Sequence, residues 1–176
     1  MRSQQPTGCR RYATQRDKYF MRIVVQKAVI GAFAGAAATV PMTALMLELH
    51  RRLPPRERYA LPPREIFDEI IERANVDEHL REPEKVNFAV AGHFAYGAGC
   101  GAIYAILTDK PTAANGAVYG LGVWTASYLG WLPALKILRP ATEHSWRRNA
   151  LMIAAHAVWG AALGETNRRI NFLRDK

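Results

Sequence analysis

The sequence predicts an all-α protein: a four-helix transmembrane bundle made of two parallel helical-hairpin repeats, with a short amphipathic helix in its first connection. Three observations predict it. Charges are segregated, with no Asp, Glu, Lys or Arg between Val86 and Leu107 or between Thr112 and Leu135. Every long apolar stretch carries a Gly-x-x-x-Gly pair, and one phrase led by histidine occurs twice. The mean hydropathy of −0.14 conceals this pattern, because nearly all of the 22% charged residues lie outside the apolar stretches.

A bilayer core about 30 Å thick is crossed by about 20 apolar helical residues. Residues 28–49 and 86–107 supply 22 positions each, and residues 113–135 supply 23. The uncharged part of the fourth stretch, 149–164, has only 16 positions. It becomes a span of about 147–164 when Trp146, Arg147 and Arg148 sit at the interface, where arginine stems reach back to water. A buried helix of a soluble protein is the competing reading for this stretch. Trp131 and Trp146 fall near span ends, as an aromatic belt requires.

The membrane domain therefore occupies residues 28–165, between two basic tails. Residues 1–27 carry seven Lys/Arg and one acid, Asp17, and read as a flexible tail resting on anionic lipid. Residues 166–176 form the second tail. Nucleic acid is the weaker explanation of this charge, because no stacking aromatics accompany it in a folded pattern. Lys/Arg counts on the two sides of a four-span topology tie at twelve each, so the positive-inside rule gives no orientation. Acids dilute the first connection, which leans the reading toward cytoplasmic termini.

That connection, residues 50–85, contains two near-copies, Leu53-Pro54-Pro55-Arg56 and Leu61-Pro62-Pro63-Arg64. Proline suits the first turn of a helix, so an amphipathic helix is expected to start near Pro63. Ile66, Phe67, Ile70, Ile71 and Ala74 share one face, with Glu65, Asp68, Glu69, Glu72 and Arg73 around the rest. The second and third spans join through Thr108-Asp109-Lys110-Pro111, a tight turn.

Both His93–Gly101 and His156–Gly164 fit His-x-x-aromatic-Gly-Ala-x-x-Gly, 63 residues apart. Gly31-Ala-Phe-Ala-Gly35 and Gly116-Ala-Val-Tyr-Gly120 form a weaker pair. Two copies that each cross the membrane twice are parallel, related by a pseudo-twofold axis along its normal. In lipid, helix association relies on close backbone approach, so Gly31, Gly35, Gly97, Gly101, Gly116, Gly120, Gly160 and Gly164 are the expected packing positions. His93 and His156 share a stripe with these glycines and point into the packed face. With Tyr96 and Trp159 they form a candidate ligand site or polar path, since ionisable groups within a membrane are costly and often functional. The plain alternative is a neutral imidazole bonded to a carbonyl.

No cofactor is required by these residues; haem held by the two imidazoles is a candidate, and no metal is assigned. Cys9 and Cys100 lie in different settings and suggest no disulfide or metal pair. There is no phosphate-binding loop, nucleophile elbow or His-Glu-x-x-His, so no enzymatic activity is expected. Leu53-Pro54-Pro55-Arg56 after the first span, combined with the two histidine-led glycine helices, resembles the YagU-like family of uncharacterised bacterial inner-membrane proteins. The resemblance covers residues 28–165 and implies a multi-pass bacterial inner-membrane protein without an established catalytic activity. Three functions follow in order. The first is an accessory subunit binding lipid, another membrane protein or its own copy. The second is a small transporter component using the paired histidines, and the third is a bis-histidine haem or pigment protein.

Overall fold

A computed structural model describes residues 7–174, with side chains from residue 15 onward. The described residues form helices and no strand. The elements are α1 (Thr7–Arg51), α2 (Pro62–Arg73), α3 (Glu82–Leu107), α4 (Ala113–Ala126), a single turn α5 (Leu132–Ala134) and α6 (Trp146–Arg174). A five-residue π-helical segment, Ser127–Trp131, joins α4 to α5.

Helix α1 has 45 residues, a length of about 67 Å at 1.5 Å per residue. Residues 7–27, expected as a flexible tail, are its first part; the start of that tail, residues 1–6, lies outside the described residues. Between residues 9 and 30 no Gly or Pro interrupts helical hydrogen bonding, which is the reason the helix runs on. Pro41 lies inside α1 without ending it. Around it, the Thr39 and Thr43 hydroxyls donate to the carbonyls of Gly35 and Thr39, at 2.9 and 2.7 Å, keeping polar groups paired near the lost N–H. The second expected tail is likewise helical as far as Arg174, the last residue of α6, and its residues 175–176 lie outside the described residues.

The third expected span is a correction. It does not run straight from 113 to 135. Regular α-helix ends at Ala126, Gly130 takes a non-helical φ/ψ of −113°/−107°, and Pro133 follows inside the next turn. Glycine tolerates that backbone, and proline removes a donor that a continuous helix would use. By length and apolarity, two helices qualify to cross a membrane: residues 15–51 of α1, and α3. The break leaves α4 with only 14 residues, and charges flank the short uncharged centre of α6. Hydropathy alone therefore supports two spans where four were expected.

Three packings hold the helices: α1 on α3, α4 on α6, and α1 on α6. The order across the bundle is α3–α1–α6–α4, and α3 and α4 barely touch. Glycine sets the two outer pairs. A Cβ at Gly31 or Gly35 would collide with the carbonyl oxygens of Gly101 or Gly97, and a Cβ at Gly116 or Gly160 with the other's carbonyl. Gly120 is pressed against the His156 carbonyl and Gly164 against that of Thr112. Both pairs are antiparallel, but the second is shifted by one helical turn relative to the first: Gly35 opposes Gly97, whereas Gly120 opposes His156 rather than Gly160. Across the open α3/α4 side the contacts are aromatic and polar. Tyr104 donates to Asn115, Tyr119 donates to the Cys100 carbonyl at 2.8 Å, and the rings of Tyr104 and Tyr119 lie 5.2 Å apart.

The first connection is a folded cap. The first Leu-Pro-Pro-Arg copy makes one 3-10 turn, Pro55–Glu57, and the second opens α2 at Pro62. Leu61, which precedes a proline, is held extended and keeps α2 separate from that first turn. Helix α2 rests on α3 with Phe67 stacked on Phe88 at 6.0 Å, while Arg73 donates to the carbonyls of Leu135 and Lys136 at 2.8 and 2.7 Å.

Arg148 fixes the other end of this cap. It was expected to reach interfacial water, yet it is 4% exposed. Its guanidinium donates to the carbonyls of Glu57, Tyr59 and Ala60 and lies 3.4 Å from the centre of the Tyr59 ring. The irregular 57–60 backbone offers carbonyls that no helix uses, which draws the arginine inward. Glu65 lies 3.6 Å away; burial pushes its carboxyl above the usual range, and Arg148 and Arg139 pull it partly back.

Two predictions follow from this packing. Gly35→Ala and Gly160→Ala should each cost about 1–3 kcal/mol in detergent unfolding titrations, since backbone must move apart. Gly99→Ala and Gly122→Ala, where a Cβ meets open space, should be neutral or gain up to about 1 kcal/mol. Arg148→Ala should cost about 3 kcal/mol or more by leaving buried carbonyls unpaired. Arg148→Lys should recover less than half, because an ammonium lacks the forked donors. Limited proteolysis within residues 53–61 reads this loss directly.

Candidate functional site

A cavity of about 280 Å³ lies between α2, α3, α6 and the π-helical segment. His93, Tyr96, His156 and Trp159 all line it, so the four residues singled out in the sequence come together at one place. Helix periodicity puts His93 and Tyr96 on the inner side of α3, and His156 and Trp159 on the inner side of α6, each pair preceding the glycine that brings α1 or α4 close.

Three of these polar groups are already engaged. His156 is buried, its Nδ1 donates to the Met152 carbonyl at 2.8 Å, and its ring meets Tyr128 edge-on at 5.9 Å. Trp159 donates from Nε1 to the Gly35 carbonyl at 3.1 Å, tying α6 to α1 at the glycine crossing. The Tyr96 hydroxyl and Ser127 Oγ are hydrogen-bonded at 3.0 Å across the α3/α4 gap. His93 differs: its Nε2 is buried and has no hydrogen-bond partner. An unpaired buried polar atom costs about 1–3 kcal/mol, so this one calls for a partner.

The remaining wall is apolar or aromatic. No Asp, Glu, Lys or Arg lines the cavity. Ile66, Phe67 and Ile70 of α2 close one side and Met42 of α1 another. Phe88, Tyr96 and Trp131 line the wall and are also exposed at the protein surface, so the cavity has a mouth between α3 and the 127–131 segment. Among the described residues no group of three or more His, Cys, Asp or Glu side chains is arranged to hold a metal. The arrangement can hold a small, largely apolar molecule and offer it one imidazole nitrogen.

Sequence reasoning missed the contribution of Ser127, Tyr128 and Trp131. Trp131 was read as an interfacial anchor, but it is part of the cavity mouth, its ring 6.2 Å from Tyr96. The signal was present: Gly130 and Pro133 within an uncharged stretch mark an interrupted helix, and π-helical turns are frequent at functional sites. The packing role of Tyr59 and His144, hydrogen-bonded at 2.6 Å between two connections, had no such signal.

A family model described as a protein of unknown function, DUF1440, matches residues 29–164. No curated protein and no solved structure matches the chain. The match runs from residue 29 within α1 to Gly164 within α6, and the chain belongs to the DUF1440 family of proteins of unknown function.

Proposed function

We propose that the chain is a non-enzymatic, four-span protein of the bacterial inner membrane, YagU-like in organisation, that acts as an accessory subunit holding lipid or a membrane partner. The observation that carries this reading is the outward apolar surface. Phe33 is 68% exposed on α1, Leu107 74% on α3 and Val118 70% on α4, and Val158 of α6 is partly exposed as well. All four helices present large apolar side chains outward, while the crossing glycines and the polar Thr39, His156 and Asn167 face inward. In water this partition is unfavourable at about 25 cal/mol per Å² of exposed apolar surface, and in lipid it carries no such penalty.

The ends of the bundle support the same topology. Lys27 of α1 pairs with Asp109 in the α3–α4 turn at 2.7 Å, and Asn167, Asn171 and Arg174 of α6 gather beside them. The N-terminal part of α1 and the C-terminus of α6 therefore share one end, and the basic residues there suit anionic lipid on the cytoplasmic side. The two Gly-paired hairpins, α1–α3 and α4–α6, fit two parallel repeats. A shared cavity containing His93 and His156 gives the transporter reading its one specific support. The haem reading is less favoured, because about 280 Å³ lies below the roughly 300 Å³ at which drug-sized sites begin.

The expected outcome is a protein that resists carbonate extraction and needs detergent. In a background with Cys9 and Cys100 replaced, Arg16→Cys and Asp109→Cys should react with an impermeant maleimide from one side of the membrane and Asp77→Cys from the other. Extraction as a soluble monomer, or labelling of all three from one side, overturns the four-span reading.

A further inference from the structure

We infer that the cavity binds a neutral, lipid-soluble ring compound carrying a carbonyl or hydroxyl oxygen, with a short-chain quinone as its representative, hydrogen-bonded to Nε2 of His93. Only the route of entry rests on the membrane reading above.

Size restricts the occupant first. A dry apolar cavity of about 150 Å³ takes benzene. One of about 280 Å³ therefore has room for a substituted ring, and too little for a two-chain phospholipid. Charge restricts it next. With no charged residue in the wall, an ionic group would lose its hydration without gaining a counter-charge. The aromatic faces of Phe67, Phe88, Tyr96 and Trp131 favour a flat partner, which can stack or meet their edges.

His93 supplies the polar requirement. Thr39, Tyr96 and Trp159 already spend hydrogen bonds on protein partners, as does Nδ1 of His156, and among the nitrogens of the lining residues Nε2 of His93 is the one fully buried without a partner. A simple acyl chain would leave that nitrogen unpaired. A ring oxygen satisfies it in either tautomer: a carbonyl accepts from Nε2–H, and a hydroxyl donates to a bare Nε2. Entry is lateral. Exposed Phe88 and Trp131 flank the mouth, and α3 and α4 are bridged by side chains rather than packed backbone to backbone.

The test is titration of the purified full chain with a benzoquinone bearing one isoprene unit, followed by tryptophan fluorescence, since Trp131 and Trp159 both line the cavity. Wild type should show a saturable quench. His93→Leu should weaken the apparent affinity at least tenfold, His93→Gln should restore part of it, and His79→Leu in the connection should leave it unchanged. Ile70→Trp, at the exposed rim, should block binding without altering His93, and matched circular dichroism confirms that each variant is folded. A quench that is linear and equal in all variants means partition into detergent only and overturns the inference. So does a phospholipid that remains bound through delipidation and is not displaced by the quinone. The assay reads the cavity with or without detergent, so a soluble chain that still binds the probe overturns the membrane reading alone.

Discussion

The structure depends on backbone contact at the glycine crossings. Where Gly31 and Gly35 meet Gly101 and Gly97, and where Gly116 and Gly120 meet Gly160 and His156, a peptide carbonyl occupies the place of a missing Cβ. Helices held this closely cannot also pack large side chains between them, so the bulky residues are displaced to the opposite side of each pair. This explains the asymmetry of the bundle. Its α1/α3 and α4/α6 seams are thin, its α3/α4 side is filled by tyrosines, and the space left over becomes the cavity.

Two further elements keep that space from collapsing. The π-helical segment widens the end of α4 and turns Ser127 and Trp131 toward Tyr96 of α3 and Tyr128 toward His156 of α6. Helix α2, fastened by Arg73 at one end and followed back to Arg148 at the other, lays Ile66, Phe67 and Ile70 across the opening. Neither element belongs to a regular span. Both derive from prolines and glycines that a continuous helix would reject.

The histidine repeat illustrates how equal sequences reach unequal environments. His93 and His156 begin the same phrase, but the α4–α6 crossing is shifted by one turn relative to α1–α3. The backbone carbonyl of His156 meets Gly120 and its Nδ1 donates to Met152 one turn back in α6, whereas the buried Nε2 of His93 has no partner. A motif that occurs twice has thus given one histidine bonded through Nδ1 within its own helix and one whose buried Nε2 has no partner.

The helical class, the α2 start near its prolines, the tight 108–111 turn and the glycine positions were legible from periodicity and residue type, because each depends on interactions within a few residues. Helical spacing likewise put His93 with Tyr96, and His156 with Trp159, on one side of their own helices, while the meeting of the two pairs at one cavity came from the packing of α3 and α6. Which helix each glycine meets, the one-turn shift between hairpins, the broken end of the third apolar stretch and the burial of Arg148 were decided only by tertiary structure. Each is set by a partner far away in the chain: a carbonyl across a crossing, or the irregular 57–60 backbone about ninety residues before the arginine that satisfies it. Local sequence carries the propensity of an element, and long-range pairing of its polar groups decides where that element comes to rest.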